Sequence, residues 1–389
     1  MDAPHQFMTA AGADVVVIGA GMVGVACAYY AARAGLTVTV VDRGGVATGT
    51  TGAGEGNILV SDKPPGPELT LARHSVELWR ELGDTLGAEL IELEHKGGLV
   101  VAASPAEHAA LRAFAASQRA TGVEAYEVPA DELPDHEPYL ARDLVGGVRY
   151  PQDMQVHPML AAAHLLRAAR VRVLTGTTVV GVRRDAAGAV RGVLTDRGLL
   201  PTTMVVNAAG VWAGEVAALA GVGLPILPRR GFVLVTEALP PLVRHKVYAA
   251  GYVANVGRSS GDLEVSPVVE GTRAGTILIG STRERVGFDR TIPLPALRRL
   301  AAGAVRLFPV LGRVSAIRAY RGFRPYSPDH LPMIGADPRV PGLYHAAGHE
   351  GAGIGLAPAT GHAVAALLTG RLPDVDLRPF APERHDVHL

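Results

Sequence analysis

The chain has 389 residues, with 37 Lys and Arg against 37 Asp and Glu, so its net charge is zero when histidine is neutral. This balance gives no electrostatic reason to expect nucleic acid or an anionic membrane as a partner. Hydrophobic residues make up 48% of the chain, yet no stretch is apolar for long enough to span a bilayer. The first ten residues lack the pattern of a secretory signal, so a soluble cytoplasmic protein is expected.

The chain contains a single cysteine, Cys27. It excludes an intramolecular disulfide and a cysteine metal cluster, and we expect no metal site. Because Cys27 falls within the first predicted helix, we interpret it as a packing residue rather than a reactive thiol. The length is sufficient for one large domain or two interleaved ones.

The first predicted elements are a strand, a glycine-rich turn and a helix. Residues 15–18 are four consecutive apolar residues, typical of a strand buried on both faces of a parallel sheet. Gly19, Gly21 and Gly24 follow as G-x-G-x-x-G and lead into a helix expected over residues 22–34. In such a turn the glycines make the bend, let a pyrophosphate approach the backbone and allow the helix to pack closely on the strand.

A second strand, expected over residues 37–41, ends in Asp42, eighteen residues beyond Gly24. A carboxylate here can accept hydrogen bonds from a ribose diol, and it would repel the 2′-phosphate of NADP. A lone glycine motif can arise by chance in a chain with 47 glycines. The strand, turn, helix, strand and acid all occur at the required spacing, so the sequence predicts a dinucleotide site without choosing between NAD and FAD.

Residues 44–57 form a loop with six glycines and three threonines. Its backbone N–H groups and hydroxyls can wrap phosphates or a flat heteroaromatic ring, and its position after Asp42 favours cofactor binding over a flexible surface loop. Glu55 is the one charge in this loop. The sequence leaves open whether Glu55 faces the cofactor, the substrate entrance or solvent.

The middle of the chain alternates helices and strands. Ser104, Pro105 and Glu107 mark the start of a helix, since serine caps the terminus and proline suits the first turn. Helices are expected over residues 68–93, 105–120 and 158–169, and strands over residues 97–103, 145–150, 171–176, 178–185, 190–195 and 204–210. The strands between residues 171 and 195 predict a β-meander.

Residues 225–319 alternate apolar and polar side chains, with glycine-rich turns and one helix near residues 295–308. This pattern predicts a mostly antiparallel sheet that covers a ligand. A last helix is expected over residues 359–368. The predicted fold is α/β (α+β), with a Rossmann-like cofactor domain at 13–80, 150–220 and 320–372 interleaved with a substrate domain at 81–149 and 221–319.

Four landmarks, in this order, resemble the D-amino-acid oxidase family of FAD-dependent amine oxidoreductases. They are the glycine motif with Asp42, the loop at 48–57, the run Asn207-Ala-Ala-Gly-Val-Trp-Ala213, and Phe323-Arg-Pro-Tyr-Ser-Pro-Asp-His-Leu-Pro-Met-Ile-Gly335 continuing into residues 348–361. The resemblance covers about residues 14–370. Glycine oxidase, sarcosine oxidase and the β-subunits of opine, hydroxyproline and proline dehydrogenases share it, and residues 348–358 look closest to the dehydrogenase β-subunits.

The resemblance implies FAD as the cofactor, held without a covalent bond, because the loop lacks the histidine and the substrate region lacks the cysteine to which some relatives attach it. In this family Asp42 would face the adenosine ribose, the backbone of Val179 would meet adenine, and Gly353 would lie at the pyrimidine edge of the flavin. The residues expected at the cofactor are Gly19, Gly21, Met22, Val23, Gly24, Asp42, Arg43, Thr50, Thr51, Asn57, Val179, Ala208, Ala209, Gly210, Gly351, Gly353, Ile354 and Gly355.

For the substrate, Arg324 matches the family arginine that pairs with the substrate carboxylate. A guanidinium suits that role because it binds a carboxylate through two parallel hydrogen bonds. A surface salt bridge is the alternative, with Arg321 as a competitor. Tyr252 is a second candidate for a carboxylate contact. For Tyr326 and His349, lining the pocket and packing stay equally open.

The implied activity is oxidation of the Cα–N bond of a D- or secondary amino acid, of the D-proline, hydroxyproline, sarcosine or opine type, by hydride transfer to flavin N5. Orientation suffices for this chemistry, so the absence of an evident base is compatible with it. Residues 276–280 lack the lysine with which sarcosine oxidases activate oxygen, which favours a dehydrogenase.

Three alternatives stay open at the sequence level. They are an oxygen-using oxidase that makes hydrogen peroxide, an NAD-dependent dehydrogenase, which would leave the C-terminal glycine motif without a role, and a non-catalytic FAD-binding subunit. The resemblance to β-subunits also implies an iron–sulfur or other flavoprotein partner. The oligomeric state is left open.

Overall fold

The structure is a computed structural model that describes residues 12–251 and 261–385. It divides into two compact units. Unit 1 takes in Met1–Gly52, Pro158–Leu227 and Pro325–Leu389, and unit 2 takes in Ala53–His157 and Pro228–Arg324. The two units are therefore interleaved along the chain.

The strands, in chain order, are β1 (Val15–Ile18), β2 (Val38–Val41), β3 (Asn57–Ile58), β4 (Gly98–Ala102), β5 (Tyr126–Pro129), β6 (Gly146–Tyr150), β7 (Met154–Gln155), β8 (Arg172–Leu174), β9 (Val179–Arg184), β10 (Val190–Thr195), β11 (Gly198–Pro201), β12 (Met204–Asn207), β13 (Leu227–Thr236), β14 (Lys246–Ala249), β15 (Glu264–Gly271), β16 (Ile277–Arg283), β17 (Ala316–Tyr326), β18 (Met333–Ala336) and β19 (Leu343–Ala347). The α-helices are α1 (Met22–Arg33), α2 (Pro67–Leu86), α3 (Ala88–Ile91), α4 (Pro105–Arg119), α5 (Leu133–His136), α6 (Pro158–Ala169), α7 (Ala213–Leu219), α8 (Leu294–Leu307) and α9 (Gly353–Leu368).

Within the described residues, unit 1 is built on a six-stranded sheet in the order β18-β19-β12-β1-β2-β8. Strand β1 pairs in parallel with β2 on one side and β12 on the other, and only β18 runs antiparallel to its neighbour. All four residues of β1 are buried, as a strand covered on both faces requires. The Rossmann-like prediction for this part of the chain is therefore confirmed.

Helix α1 packs against α6 and α9. The contact with α9 is close enough that a Cβ on Gly361 would lie 2.5 Å from the backbone carbonyl carbon of Ala26. Helix α9 begins at Gly353, six residues before the predicted start at residue 359, and it contains Pro358. Proline removes one helical hydrogen bond, but burial of almost the whole helix outweighs that loss.

The predicted β-meander is only partly confirmed. Strands β9 and β10 pair antiparallel as predicted, but the third strand of their sheet is β11, which was not predicted. Residues 172–174, expected to open the meander, form β8, which pairs in parallel with β2. The turn between β9 and β10 passes through Gly188, whose φ of 83° places it in the left-handed region that glycine favours.

Unit 2 contains an eight-stranded sheet in the order β17-β13-β16-β15-β14-β4-β6-β5, counted over the described residues. Its pairings are mostly antiparallel, as predicted, with a parallel pair between β14 and β4. Helix α8 packs on β15 and β16, and its buried Leu300 and Leu307 belong to the same hydrophobic core as Val247 and Val269 of the sheet.

Several further expectations differ from the structure. Residues 150–157 and 320–324, expected in the cofactor domain, fall in unit 2, and residues 221–227, expected in the substrate domain, fall in unit 1. Residues 53–80, expected with the dinucleotide motif, fall in unit 2, because β3 pairs with β7 of that unit. The single helix expected over residues 68–93 ends at Leu86, since Gly87 adopts a φ of 89° and a short helix follows. The predicted cap of α4 is confirmed, with Ser104 Oγ accepting the Glu107 N–H at 3.2 Å.

Among the residues that the structure describes, none of the helices combines the length and apolar character needed to cross a membrane.

We expect Gly361→Ala to lower the free energy of unfolding by about 1–3 kcal/mol, because the added methyl group clashes with the α1 backbone. Alanine favours a helix over glycine by about 1 kcal/mol, so helix propensity alone would raise the free energy of unfolding. Urea unfolding of both proteins measures the difference. The control is Gly312→Ala, where the nearest atom would be Val305 Cγ1 at 3.5 Å. Equal or greater stability of Gly361→Ala would contradict the close contact.

Candidate functional site

The turn between β1 and α1 is packed against the end of β12. Gly19 has a φ of 113°, and a Cβ there would lie 2.3 Å from the carbonyl oxygen of Ala208. A Cβ on Gly24 would lie 2.0 Å from the carbonyl oxygen of Gly19. Glycine is therefore required at both positions, and the turn brings Ala208 beside the glycine motif. Ala208 also donates its N–H to the Ile18 carbonyl at 2.9 Å.

The N-terminus of α1 is not capped by a side chain of its own cap residue, Gly21. The loop at 44–57 provides a contact instead, since the Met22 N–H donates to Thr51 Oγ1 at 2.9 Å. Helix N-termini carry partial positive charge and unsatisfied N–H groups, which favour anionic groups. The structure thus brings Thr51, predicted from the loop, to the same helix terminus as the glycines.

Asp42 lies half-buried at the end of β2. Its Oδ2 accepts the Ala20 N–H at 2.8 Å and its Oδ1 accepts the Gly44 N–H at 2.7 Å. A carboxylate oxygen can accept two hydrogen bonds, so these contacts orient Asp42 and leave it further acceptor capacity. The neighbouring Arg43 stacks on the ring of Trp212, with its Cζ 3.9 Å from the ring centroid.

The run that follows β12 is held by a buried network that sequence reasoning missed. Asn207 donates to the Ala213 carbonyl at 2.8 Å, and its Nδ2 lies 3.2 Å from His345 Nδ1. His345 Nε2 lies 3.0 Å from Asp337 Oδ2. Burial alone would raise the pKa of Asp337, but hydrogen bonds from Arg339 and His345 hold it well below its usual range. The network fixes the backbone of 207–213.

The remaining unit 1 candidates lie on two further elements. Val179 is the half-buried first residue of β9. Gly353 opens α9, whose cap residue Ala352 makes no capping hydrogen bond with its side chain, and the exposed Gly351 precedes Gly353 by two residues. His349 is buried, with Nε2 3.0 Å from Thr360 Oγ1, and burial lowers its pKa to about 3. His349 is therefore a neutral side chain packed on α9.

In unit 2, Arg324 is half-buried near the end of β17. Its Nη1 donates to the Thr282 carbonyl of β16 at 2.8 Å. A Cβ on Gly231 of β13 would lie 2.1 Å from that same Nη1, so only glycine leaves room for the guanidinium. Three strands thus hold Arg324 in one position.

The other residues predicted to bind the substrate have different surroundings from those of Arg324. Tyr252 lies outside the described residues. Arg321, the competitor of Arg324, has a buried Nε without a hydrogen-bond partner among the described residues. Tyr326 is buried and packs edge-on against the ring of His330, with centroids 5.4 Å apart.

The last five residues of the 44–57 loop, residues 53–57, belong to unit 2. Glu55 is only 8% exposed, which excludes the solvent-facing alternative. It lies against the backbone of Gly280, where a Cβ would come 2.5 Å from Glu55 Oε1. Asn57 sits in β3 opposite Gln155, and its Nδ2 lies 3.5 Å from Glu55 Oε2.

A second feature that the sequence did not reveal is the ion pair between Lys246 of β14 and Glu270 of β15. Both side chains are almost fully buried. Burial lowers the pKa of Lys246 to about 8. The two residues are 24 positions apart and no local motif marks them, so only the antiparallel pairing of β14 with β15 brings them together.

The sequence profile of the family described as "DAO: FAD dependent oxidoreductase" matches residues 14–367. The chain belongs to this family. It is 33% identical over 384 residues to the glycine oxidase of Pseudomonas aeruginosa, an alignment covering 95% of this chain and 98% of that protein.

Two solved structures of the same fold are similar over nearly their whole length. The crystal structure of glycine oxidase from Geobacillus kaustophilus superposes with a TM-score of 0.87 at 28% identity, covering 97% of this chain and 100% of that one. That of L-proline dehydrogenase from P. horikoshii gives a TM-score of 0.87 at 25% identity, covering 96% and 97%.

Membership of the DAO family establishes FAD as the cofactor and the protein as an oxidoreductase, which confirms the predicted resemblance. The unit 1 geometry fits that cofactor. The N-terminus of α1 with its close-packed glycines suits a pyrophosphate, and the acceptor capacity of Asp42 suits a ribose diol.

We expect Asp42→Ala to weaken FAD binding about 10²-fold, because it removes charge-assisted hydrogen bonds worth about 1.5–3 kcal/mol each. Titration of the apoprotein with FAD, followed by flavin fluorescence, measures the dissociation constant. The matched control is Asp185→Ala, since Asp185 also accepts two backbone N–H groups, those of Ala187 and Ala189. The assignment of Asp42 is wrong if both variants bind FAD equally well.

The buried His349 predicts an acid-dependent loss of stability. The unfolded chain binds a proton at this histidine near its ordinary pKa of 6.5, whereas the folded chain does so only near 3. Between these values the unfolded state binds more protons, so the free energy of unfolding falls on acidification by up to about 1.4 kcal/mol per pH unit.

We therefore expect His349→Gln to lose up to about 2 kcal/mol of the stability difference between pH 7 and pH 5. Urea unfolding at both pH values measures that difference. The exposed His95, changed to Gln, serves as the control. An unchanged pH dependence in His349→Gln would show that this histidine is not the group that responds.

Proposed function

We propose that the protein is an FAD-dependent dehydrogenase that oxidises the Cα–N bond of a small amino acid, D-configured or secondary, of the D-proline, hydroxyproline, sarcosine or opine type. Family membership supplies the redox class. The similar proteins are a glycine oxidase and an L-proline dehydrogenase by name, which supports an amino-acid substrate. The observation that carries the substrate class is the fixed, half-buried guanidinium of Arg324.

Arg324 suits a carboxylate because of how it is held. One of its N–H donors is committed to the Thr282 carbonyl, and the same nitrogen occupies the space that a side chain at position 231 would fill. A guanidinium has five N–H donors in a planar fork, so fixing its plane sets the direction from which a carboxylate can approach. A substrate bound this way has its Cα–H held in one orientation, which is the main contribution a protein makes to hydride transfer.

When bound, FAD supplies the two-electron chemistry by accepting hydride at its N5. Unit 1 is inferred to hold it without a covalent bond, through the glycine motif, Asp42 and the start of α9. The N-terminus of α9 can stabilise negative charge near Gly353, because helix N-termini carry partial positive charge. Unit 2 is inferred to bind the substrate. A partner subunit and a cytoplasmic location stay predictions.

A second candidate is an oxygen-using oxidase that forms hydrogen peroxide. The 33% identity to a protein named glycine oxidase favours it. In favour of a dehydrogenase, strand β16 contains no lysine. The buried Lys246 lies instead on β14, paired with Glu270.

The two functions differ in what happens to reduced flavin. The holoprotein is mixed anaerobically with D-proline, hydroxyproline isomers, sarcosine, glycine and D-alanine, and flavin absorbance is followed before and after air is admitted. Bleaching with slow reoxidation supports the dehydrogenase. Rapid recovery with formation of peroxide supports the oxidase, and no bleaching by any amino acid contradicts both.

We expect Arg324→Ala to lower kcat/KM about 10²–10³-fold, because it removes a bidentate, charge-assisted contact. Arg324→Lys keeps the charge but not the fork and recovers only part of the loss. The control is Arg318→Ala, an exposed arginine of the same strand. Unchanged activity in Arg324→Ala would overturn this substrate contact, and a non-catalytic subunit would show no activity in any form.

A further inference from the structure

Unit 2 contains a buried carboxylate, Glu55, that has no part in the binding of the substrate carboxylate by Arg324. Glu55 is 92% buried, and its Oε1 has no hydrogen-bond partner among the described residues. Asn57 Oδ1 and Ser281 Oγ are also buried without partners in that part of the chain. Buried acceptors of this kind are costly unless a donor reaches them, so the neighbouring side chains of Glu55 and Asn57 point to a ligand that donates hydrogen bonds.

Strand β16 places Glu55 close to Arg324. The carboxylate of Glu55 lies against Gly280, and the guanidinium of Arg324 is bonded to the carbonyl of Thr282. Gly280 and Thr282 are two residues apart on one strand, a separation of about 7 Å. The acid and the arginine are therefore held at neighbouring points of the same strand.

Contacts with strand β17 independently show that Glu55 and Arg324 lie near each other. A Cβ on Gly322 would lie 2.9 Å from both the Cβ and the carbonyl oxygen of Ala53. The Tyr320 hydroxyl donates to the carbonyl of Gly54 at 3.4 Å. The segment leading into Glu55 therefore lies along the strand that carries Arg324, two to four residues away from it.

Among the described residues, neither Lys246 nor Lys96 forms an ion pair with Glu55. Lys246, the buried ammonium whose pKa the Glu55 charge raises against the effect of burial, is already paired with Glu270. The next lysine, Lys96, is paired with Glu94 at 3.0 Å. The carboxylate of Glu55 is therefore available to a positively charged group of a ligand.

We propose that Glu55 receives the amino group of the substrate while Arg324 holds its carboxylate, with Asn57 as a further acceptor. This inference rests on the proposed amino-acid oxidoreductase function and deepens it. An α-amino acid carries its two charged groups on one carbon, so it can bridge a guanidinium and a carboxylate held about two strand residues apart. Glu55 is then the residue that selects amino acids over hydroxy acids, since a hydroxyl group brings no positive charge to it.

The test uses two ligands of nearly the same shape, 2-aminoisobutyrate and 2-hydroxyisobutyrate. Neither has a hydrogen on Cα, so neither is oxidised, and binding to the holoprotein is measured from the perturbation of the flavin absorbance spectrum. We expect the wild type to bind the amino acid at least tenfold more tightly than the hydroxy acid. Equal binding of the two ligands by the wild type would overturn the inference without any variant.

Glu55→Gln should weaken binding of the amino acid about 10²-fold and leave the hydroxy acid unchanged or slightly tighter. Glu55→Asp keeps the charge and should restore part of the preference. The control is Glu94→Gln, a half-buried glutamate of the same unit, which should keep the wild-type ratio. If Glu55→Gln weakens both ligands equally, the residue is structural and the inference fails.

Arg324→Ala separates failure of this inference from failure of the proposed function. It should weaken both ligands, because both contain a carboxylate. If both ligands depend on Arg324 but do not distinguish wild type from Glu55→Gln, only the role of Glu55 is overturned. If neither ligand perturbs the flavin and no amino acid bleaches it, the proposed function itself falls, together with the role of Glu55.

Discussion

The close approach of backbone to backbone at the end of β1 is the constraint on which unit 1 depends. Only glycine at positions 19 and 24 lets the turn touch both the first turn of α1 and the end of β12. Since β1 lies between β2 and β12, one compact turn sets the positions of Asp42, of the α1 terminus and of the run after Asn207. A side chain at either glycine would separate these groups, although they come from three distant stretches of sequence.

Unit 2 follows a different principle, in which polar groups are buried and then held by strands. Arg324 is fixed between β13, β16 and β17, and Glu55 is pressed against β16 and preceded by a segment on β17. Burial raises the desolvation free energy of each charged group and also strengthens its interaction with a partner of opposite sign. A pocket built from such groups discriminates between ligands by charge before it does so by shape.

The sequence predicted those features that depend on local pattern. The buried run Val15–Ile18, the glycine motif, the capped start of α4 and the pairing of β9 with β10 all follow from residue spacing within one or two elements. Features that depend on tertiary packing were missed or misplaced. Helix α9 starts before Pro358 because burial overrides propensity, and residues 53–80 join unit 2 because of one strand pairing. The Asn207–His345–Asp337 network joins residues up to 138 positions apart, so no local signal marks it.

The order of strands in the unit 1 sheet has a consequence for how the protein is made. Strand β1 is near the N-terminus, but β18 and β19, which complete one side of the sheet, and α9, which packs on α1, all come after residue 330. During synthesis β1 can pair with β2 and β12 earlier, but the face of α1 that packs on α9 stays uncovered until that helix has been made. Such non-local pairing folds slowly and leaves hydrophobic surface exposed in the meantime. The early segments of this chain are thus the ones on which chaperones would act while translation proceeds.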